Sequence, residues 1–479
     1  METGEGEASH VVEVDIDERD IDKRLLAKMK SEISKSNPSN SPRKTDTGGK
    51  RCIYKSSDGF KHIDRKWLEP QVVAIGPYHR DKPQVQMMEV IKKQCLGYFI
   101  KNKEVDYLLN CLKTIRSLEI EKDLRECYSE TEKLGNSDDF VQMMVYDGCF
   151  ILDLLLFLNH KKEMHFNFDK EEAKSDHPLY QPESQERVNV SKFYTDLLLL
   201  ENQIPFIVLE KLYELCKPGD VSLFAIVRKV LGRSLYPIIH RNRPPTEWLH
   251  LLDLVRSLFI PPGHNEKPWM RFFFSEKQYW RQFKLFSPIP SPCVTKLRRV
   301  GIKIKGDMAD SFLEVKFKRG VIEMPVIALD HEMCSFLVNC VAFEQCHRCS
   351  THFSIYATFL DGLVNTDKDI EYLCDRRIIA NSFGTDNDAA VFINNLGKDL
   401  TIYRDYKIDN DYLLDFFEDV NDYFDRKRLH WAKWQWTSFK REYFGKPWLL
   451  ISAFVAFVLL VLTYLQTHFT IYAYQHPKN

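Results

Sequence analysis

The chain lacks the sequence grammar of the familiar enzyme classes. No Gly-x-Ser-x-Gly nucleophile turn occurs. His331-Glu332 begins like a two-histidine zinc helix, but Ser335 stands where the second ligand is needed. Gly301-x4-Gly306 imitates a phosphate loop until Asp307, a carboxylate that would repel phosphate, replaces the expected lysine. A charge excess is also missing: 67 Lys+Arg face 68 Asp+Glu, which opposes a dedicated nucleic-acid binder. Cysteine is too sparse, 12 in 479 residues, for a disulfide scaffold, so mostly reduced, buried thiols are expected. The start is not basic. Nine acids and one base, Arg19, fill the first 22 residues, which fits neither a secretory nor a mitochondrial leader.

What is present begins with bulk. A 44% hydrophobic content can furnish a sizeable core and excludes wholesale disorder. Apolar positions Leu25, Met29 and Ile33 suggest a short amphipathic helix after the acidic start, and Ser36 to Lys50 reads as a flexible linker.

The C-terminus carries the strongest signal. From Pro447 to Pro477 there is no Asp, Glu, Lys or Arg. Trp448 to Leu465 is apolar except for Ser452 and Thr463. At about 1.5 Å per residue it spans about 27 Å, close to a thin hydrocarbon layer. Arg426, Lys427, Arg428, Lys433, Lys440, Arg441 and Lys446 precede it and only Lys478 follows. That asymmetry places the long N-terminal part in the cytoplasm, as in a tail-anchored, single-pass protein. Trp431, Trp434 and Trp436 among those bases permit two readings: a helix resting on anionic lipid, or tryptophans packed on the domain.

A second apolar stretch, Val141 to Leu158, includes Asp147 and Asp153. Each central acid costs about 2.5–3.5 kcal/mol on insertion scales, so this stretch is expected as a core helix. Helices are also expected at Phe140–Leu158, at Phe193–Leu215 with a break at Pro205, and at Trp248–Phe259 before Pro261-Pro262. Further candidates are Glu332–Glu344, Ile355–Val364, Asn387–Leu396 and Tyr412–Phe444. The β signal is Ser311 to Ile327, with two runs around a Lys318-Arg319-Gly320 turn and a third strand at Gly301–Lys305. His160–Val190 and Pro261–Pro292 read as long surface loops. The expected fold is mainly α with a small antiparallel β section. It comprises an acidic segment 1–50, one large helical domain 51–446, a transmembrane helix 447–474 and a tail 475–479.

Several blocks recur in one order. They are Val73-Ala74-Ile75-Gly76-Pro77-Tyr78-His79, Val145-Tyr146-Asp147-Gly148-Cys149-Phe150-Ile151, and Asp196 through Glu201-Asn202-Gln203-Ile204-Pro205-Phe206. His250-Leu251-Leu252-Asp253-Leu254, Phe343-Glu344-Gln345-Cys346 and Tyr443-Phe444 before Pro447-Trp448 follow. In these the chain resembles the plant family called domain of unknown function 247, over about Arg51 to Tyr472. The resemblance implies a plant-specific protein with one C-terminal membrane helix and no established enzymatic activity. Some members of the family are implicated in pollen–stigma recognition.

Candidate chemistry is thin. Cys346, Cys349 and His352 have a Cys-x2-Cys-x2-His spacing, with Cys334 and Cys340 upstream, but no second metal-binding pair completes a zinc pattern. Buried or loop thiols are the favoured reading, and no metal or cofactor is assigned. Asp147, Asp153, Asp196 and Glu201 lie in apolar surroundings where raised pKa values and acid–base work are conceivable; capping helix ends or pairing with buried cations and backbone N–H groups is favoured. Gly76-Pro77-Tyr78-His79 reads as a fixed turn rather than a ligand site at His79. No catalytic residue is assigned.

The resulting expectation is a non-enzymatic, membrane-anchored interaction or recognition protein, with the plasma membrane favoured. Its partners would be lipid, through the C-terminal helix, and a protein bound by the cytosolic domain, with no nucleic acid. The alternatives are a membrane-associated enzyme of unrecognised type and a zinc-stabilised module. A reversed topology is a third, for which Asn189-Val190-Ser191 supplies one glycosylation acceptor.

Overall fold

The computed structural model describes residues 51–55, 63–101, 103, 106–164, 177–180, 190–216, 221–236, 248–261, 292–347, 349–400, 413, 416–427 and 447–475. The acidic segment 1–50, most of the two expected long loops, Asn189 and the pre-membrane tryptophans lie outside these residues.

The N-terminal half is helical. Helices α1 (Gln86–Ile100), α2 (Tyr107–Arg116) and α3 (Leu118–Glu126) lead to α4 (Ser137–Met164). Then come α5 (Val190–Leu197), α6 (Phe206–Cys216), α7 (Leu223–Val227, continued by a π turn Arg228–Gly232) and α8 (Leu251–Phe259). Helix α4 is the hub. It packs against α1, α2 and α6, and its apolar residues cover nearly its whole circumference, as a helix surrounded by others requires. The break at Pro205 is wider than one kink: α5 stops at Leu197 and α6 starts at Phe206, with the proline just ahead of the first turn, where its missing N–H costs nothing. Helices α1, α2 and α3 were not among those expected from apolar periodicity.

The C-terminal half follows α9 (Val294–Arg299) with two small sheets. Strands β1 (Lys303–Asp307), β2 (Lys316–Lys318) and β3 (Val321–Pro325) form one in the order β1-β3-β2; β4 (Ile327–Leu329) pairs with β5 (Ile379–Asn381) in the other. Helices α10 (His331–His347), α11 (His352–Leu363), α12 (Asp367–Asp375) and α13 (Asp386–Gly397) pack beside them. Helix α12 is a further element beyond those expected. Residues 416–427 are helical, within the expected Tyr412–Phe444.

The expectation of an antiparallel section is corrected. Among the described residues only the β2–β3 hairpin is antiparallel; β1 runs parallel to β3, and β4 parallel to β5. The hairpin turn is the expected one, with Arg319 and Gly320 both at positive φ (50° and 81°), the geometry that matches strand twist in a two-residue loop. The departure lies in Ser311–Val315. Instead of continuing as strand, this segment coils so that Phe312 and Leu313 are both fully buried. Ser311 Oγ donates to the Phe259 carbonyl at 2.5 Å and accepts from Leu313 N at 3.1 Å. Phe312 joins Phe259, Phe353 and Tyr356 in one aromatic cluster. Burying two adjacent large side chains is incompatible with alternation across a pleat, and the detour carries the chain to the far edge of β3.

One contiguous hydrophobic core runs from Cys52 to Val420. The last helix, α14 (Pro447–Gln475), differs. Both α4 and α14 are long and apolar enough to cross a membrane, yet 78% of the apolar window in α4 is buried and 0% of that in α14.

Gly148 sets the approach of α4 to α6. A Cβ there would stand 2.5 Å from Leu212 Cδ1 and 3.1 Å from Val208 Cγ1. Gly148→Ala is expected to lower unfolding free energy by about 1–3 kcal/mol from overpacking, despite alanine's helix preference of about 1 kcal/mol. Denaturant titration of the full-length protein in detergent measures it.

Candidate functional site

Residues 71 to 76 form an irregular segment through the interior, and Val72, Val73, Ala74, Ile75 and Gly76 are buried. No named strand pairs with it. Its backbone groups must still be satisfied, and side chains from distant parts of the chain do so. Asp196 accepts from the N–H groups of Gln71 (2.9 Å), Val72 (2.7 Å) and Val73 (2.9 Å). Asn202 Oδ1 accepts from Ile75 N at 2.7 Å, and its amide donates to the carbonyls of Val73 and Asp196 at 3.0 and 2.8 Å. Asp147 accepts from Gly76 N at 2.8 Å. Gly76 has φ +71°, and a Cβ would lie 2.6 Å from the Gln203 carbonyl oxygen, so no larger residue fits there.

Three motif blocks far apart in sequence therefore meet at one place. Gln203 extends the clasp by donating to the carbonyls of Leu197 and Leu199, both at 2.8 Å, while Tyr128 donates to the Gln203 carbonyl at 3.1 Å.

Asp147 is a buried anion and requires a buried cation. Lys92, 1% exposed, supplies it at 2.7 Å. The same ammonium bonds Glu89 at 2.6 Å and the Ala74 carbonyl, and Arg80 reaches Glu89 at 2.6 Å and Asp147 at 3.8 Å. Burial pushes the Glu89 carboxyl up, but Lys92 and Arg80 overcome it and hold it below the usual carboxylate range. The two cations and two carboxylates cancel. Their open side faces a polar cleft of about 370 Å³, lined also by Lys93, Lys133, Asp139 and Tyr146.

The other singled-out residues have separate partners. Glu201 lies 3.1 Å from His79 Nε2 and 3.7 Å from Arg65. Asp153 contacts His177 at 3.1 Å, and that imidazole stacks on Phe157. Asp196 is pushed up to about 6 by burial, which outweighs the three backbone bonds that lower it. Asp196 and Asp153 are thus held by hydrogen bonds, and Glu201 lies beside an imidazole and a guanidinium.

Cys346, Cys349 and His352 surround a different feature. Arg256, 3% exposed, bonds Glu344 through Nε and a terminal nitrogen at 3.1 and 2.7 Å. Glu344 also accepts from Phe353 N (3.1 Å), Ser354 N (2.8 Å) and Ser354 Oγ (2.9 Å), while Arg256 reaches Ser350 Oγ at 3.0 Å. The α10–α11 connection is folded around this ion pair. Burial pushes the Cys349 thiol up to about 12 despite Arg256 nearby, so it is protonated at neutral pH and is a poor nucleophile. Among the described residues, no group of three His, Cys, Asp or Glu side chains is placed to hold a metal ion.

Lys92, Arg80, Arg256 and the ion-pairing role of Glu344 were not anticipated. For Lys92 a signal existed: it shares a face with Met88, Ile91, Cys95, Leu96 and Phe99, all buried. A cation on such a stripe demands a buried partner.

The family described as plant protein of unknown function, number 247, matches residues 53–462. The chain belongs to that family. Among its 247-family relatives, an Arabidopsis thaliana UPF0481 protein, At3g47200, is 30% identical over 447 residues, covering 89% of this chain and 88% of that protein. Another UPF0481 protein of Arabidopsis thaliana, At3g02645, is 21% identical over 487 residues, covering 83% of this chain and 86% of the other. No solved structure matches it. In this 247-family chain, the Gly-Pro-Tyr-His, Val-Tyr-Asp-Gly and Glu-Asn-Gln-Ile-Pro blocks are the parts of one buried clasp.

Two tests follow from the clasp. Asp147→Asn removes one of the two carboxylates paired with the buried Lys92 and is expected to cost about 3–5 kcal/mol. Adding Lys92→Met should recover part of that loss, so the double variant falls short of the sum of the singles by denaturant titration. Asp196 gives a pH signature. Its folded pKa, about 6, exceeds its ordinary value of 3.8, so the folded state holds more protons between those values. Its contribution is fully present below pH 4 and is lost as pH rises through 6. Between pH 4 and 6, wild-type stability should therefore decline relative to Asp196→Asn.

Proposed function

We propose that this chain is a membrane-anchored, non-enzymatic interaction protein: α14 spans a bilayer and the helical domain engages a protein partner on the cytoplasmic side. The observation that carries the anchor is the exposure of α14. Phe454, Phe457, Leu459, Leu460 and Leu462 are each more than half exposed, on a helix without a charged residue. That much apolar surface is unfavourable in water and favourable in hydrocarbon. The polar interruptions also suit lipid: Thr463, Thr467 and Thr470 donate to the carbonyls of Leu459, Thr463 and Gln466 at 2.8, 2.8 and 2.7 Å. The basic residues between Arg426 and Lys446 favour a cytoplasmic domain.

The interaction reading rests on the use of the domain's buried charges. Asp147, Lys92, Glu344 and Arg256 each serve another protein group, which supports a structural role. A domain held at one membrane meets a partner on that membrane at raised effective concentration.

Val458→Asp with Leu462→Asp should cost about 5–7 kcal/mol of insertion free energy, from two central acids. Wild-type protein expressed in plant cells is expected in the membrane pellet after alkaline carbonate, and the double variant in the supernatant. Wild-type protein washed off by carbonate would reject the anchor.

A further inference from the structure

We infer that Cys52 and Cys127 are a built site for reversible oxidation by low-molecular-weight disulfides, closing to an intramolecular disulfide. Ile53 and Tyr128 form a parallel bridge, and Cys52 and Cys127 immediately precede them, Cys127 as the residue that ends α3. Cys52 N and Ile53 N both donate to the Cys127 carbonyl, at 2.9 and 3.0 Å, and Ser129 N returns a bond to Ile53 O at 3.0 Å. The two thiols already touch, each within hydrogen-bond reach of the other.

The sulfurs are not equivalent. Cys127 is partly exposed, and its thiol donates to the Asp123 carbonyl at 3.3 Å. Cys52 is 1% exposed; contact with Cys127 and burial push its thiol well above the usual range. Attack therefore begins at Cys127. Its thiolate takes one sulfur of glutathione disulfide, forming a mixed disulfide and expelling one glutathione thiolate. Cys52, losing its proton to that thiolate, then attacks Cys127 Sγ and expels the second glutathione, which takes up the Cys127 proton from solvent. Two protein thiols are oxidised and one glutathione disulfide is reduced to two thiols.

A second touching pair gives an internal comparison. Cys111 and Cys149 also share a thiol contact, but both are 0% exposed. No sulfur of that pair meets an oxidant without unfolding. The 52–127 bond would pin the segment whose carbonyls receive His250 Nε2 at 3.1 Å and the Tyr78 hydroxyl at 3.4 Å. It would also enclose α1, α2 and α3 within one covalent loop.

The test uses reduced full-length protein titrated with glutathione disulfide. Samples are quenched in acid, unfolded, alkylated and digested for peptide mass analysis. The expected result is loss of two alkylatable thiols, 52 and 127, as one cross-linked peptide, with Cys111 and Cys149 still alkylated. Cys52→Ser should stop at a Cys127–glutathione adduct, which wild type does not accumulate. A wild-type adduct that persists at Cys127 with Cys52 fully alkylated would overturn the assignment, as would oxidation of Cys111 and Cys149 first. The wild-type map decides even if the variant fails to fold.

Discussion

The fold depends on how an irregular stretch of backbone is satisfied inside a helical protein. Residues 71 to 76 cross the core with no strand among the described residues paired to them, and each amide left unpaired would cost a few kcal/mol. Asp196, Asn202 and Asp147 take up five of those N–H groups. The solution creates its own demand. A buried carboxylate is costly unless a cation accompanies it, so Lys92 must be buried too, and Glu89 and Arg80 complete the neutral set. The positions of α1, α4 and α5 follow from one requirement, since each contributes a member of the clasp.

The same arrangement recurs where helices meet loops. Glu344 on α10 binds the first turn of α11 and is balanced by Arg256 of α8. Asn339 accepts from Leu200 N at 2.8 Å and donates to the Trp67 carbonyl at 2.8 Å, joining α10 to two remote segments. Asp369 accepts from Thr295 N and from Thr366 N, tying α9 to the start of α12. Burial pushes Asp369 up, but these bonds overcome it and its carboxyl stays below its ordinary value. In each case a polar side chain fixes backbone remote in sequence. Apolar packing alone tolerates many arrangements, whereas a carboxylate with three or four donors accepts very few.

This construction explains which features were legible in advance. Helices α4, α6, α8, α10, α11 and α13 carry long apolar stretches or clear stop signals, so periodicity and proline positions located them. Helices α2 and α3 are short and charged on their outer faces, and their amphipathic pattern spans too few turns to stand out. The hairpin turn at Arg319-Gly320 was local and readable. The parallel pairing of β1 with β3 was not, because it depends on Phe312 and Leu313 leaving the strand to join a cluster formed by α8, α10 and α11. The acids of the clasp were recognisable as buried and structural. Their partners were not: Asp147 and Lys92 lie 55 positions apart, and nothing local to either names the other.

The contrast between α4 and α14 shows how a few polar atoms assign a solvent to a helix. Both are long and apolar, and neither is markedly one-sided. In α4, Asp147 and Asp153 make hydrocarbon unfavourable, yet both become acceptable inside protein, where Lys92, Gly76 N and His177 await them. In α14 the threonine hydroxyls need no external partner, because each finds a carbonyl one turn back on its own helix. Hydroxyls whose hydrogen bonds close within their own helix suit a medium offering no partners. A helix that presents carboxylates suits an interior whose donors are already in position. That difference in where the polar valences are satisfied accords with the burial of α4 in the core and with the lipid environment proposed for α14.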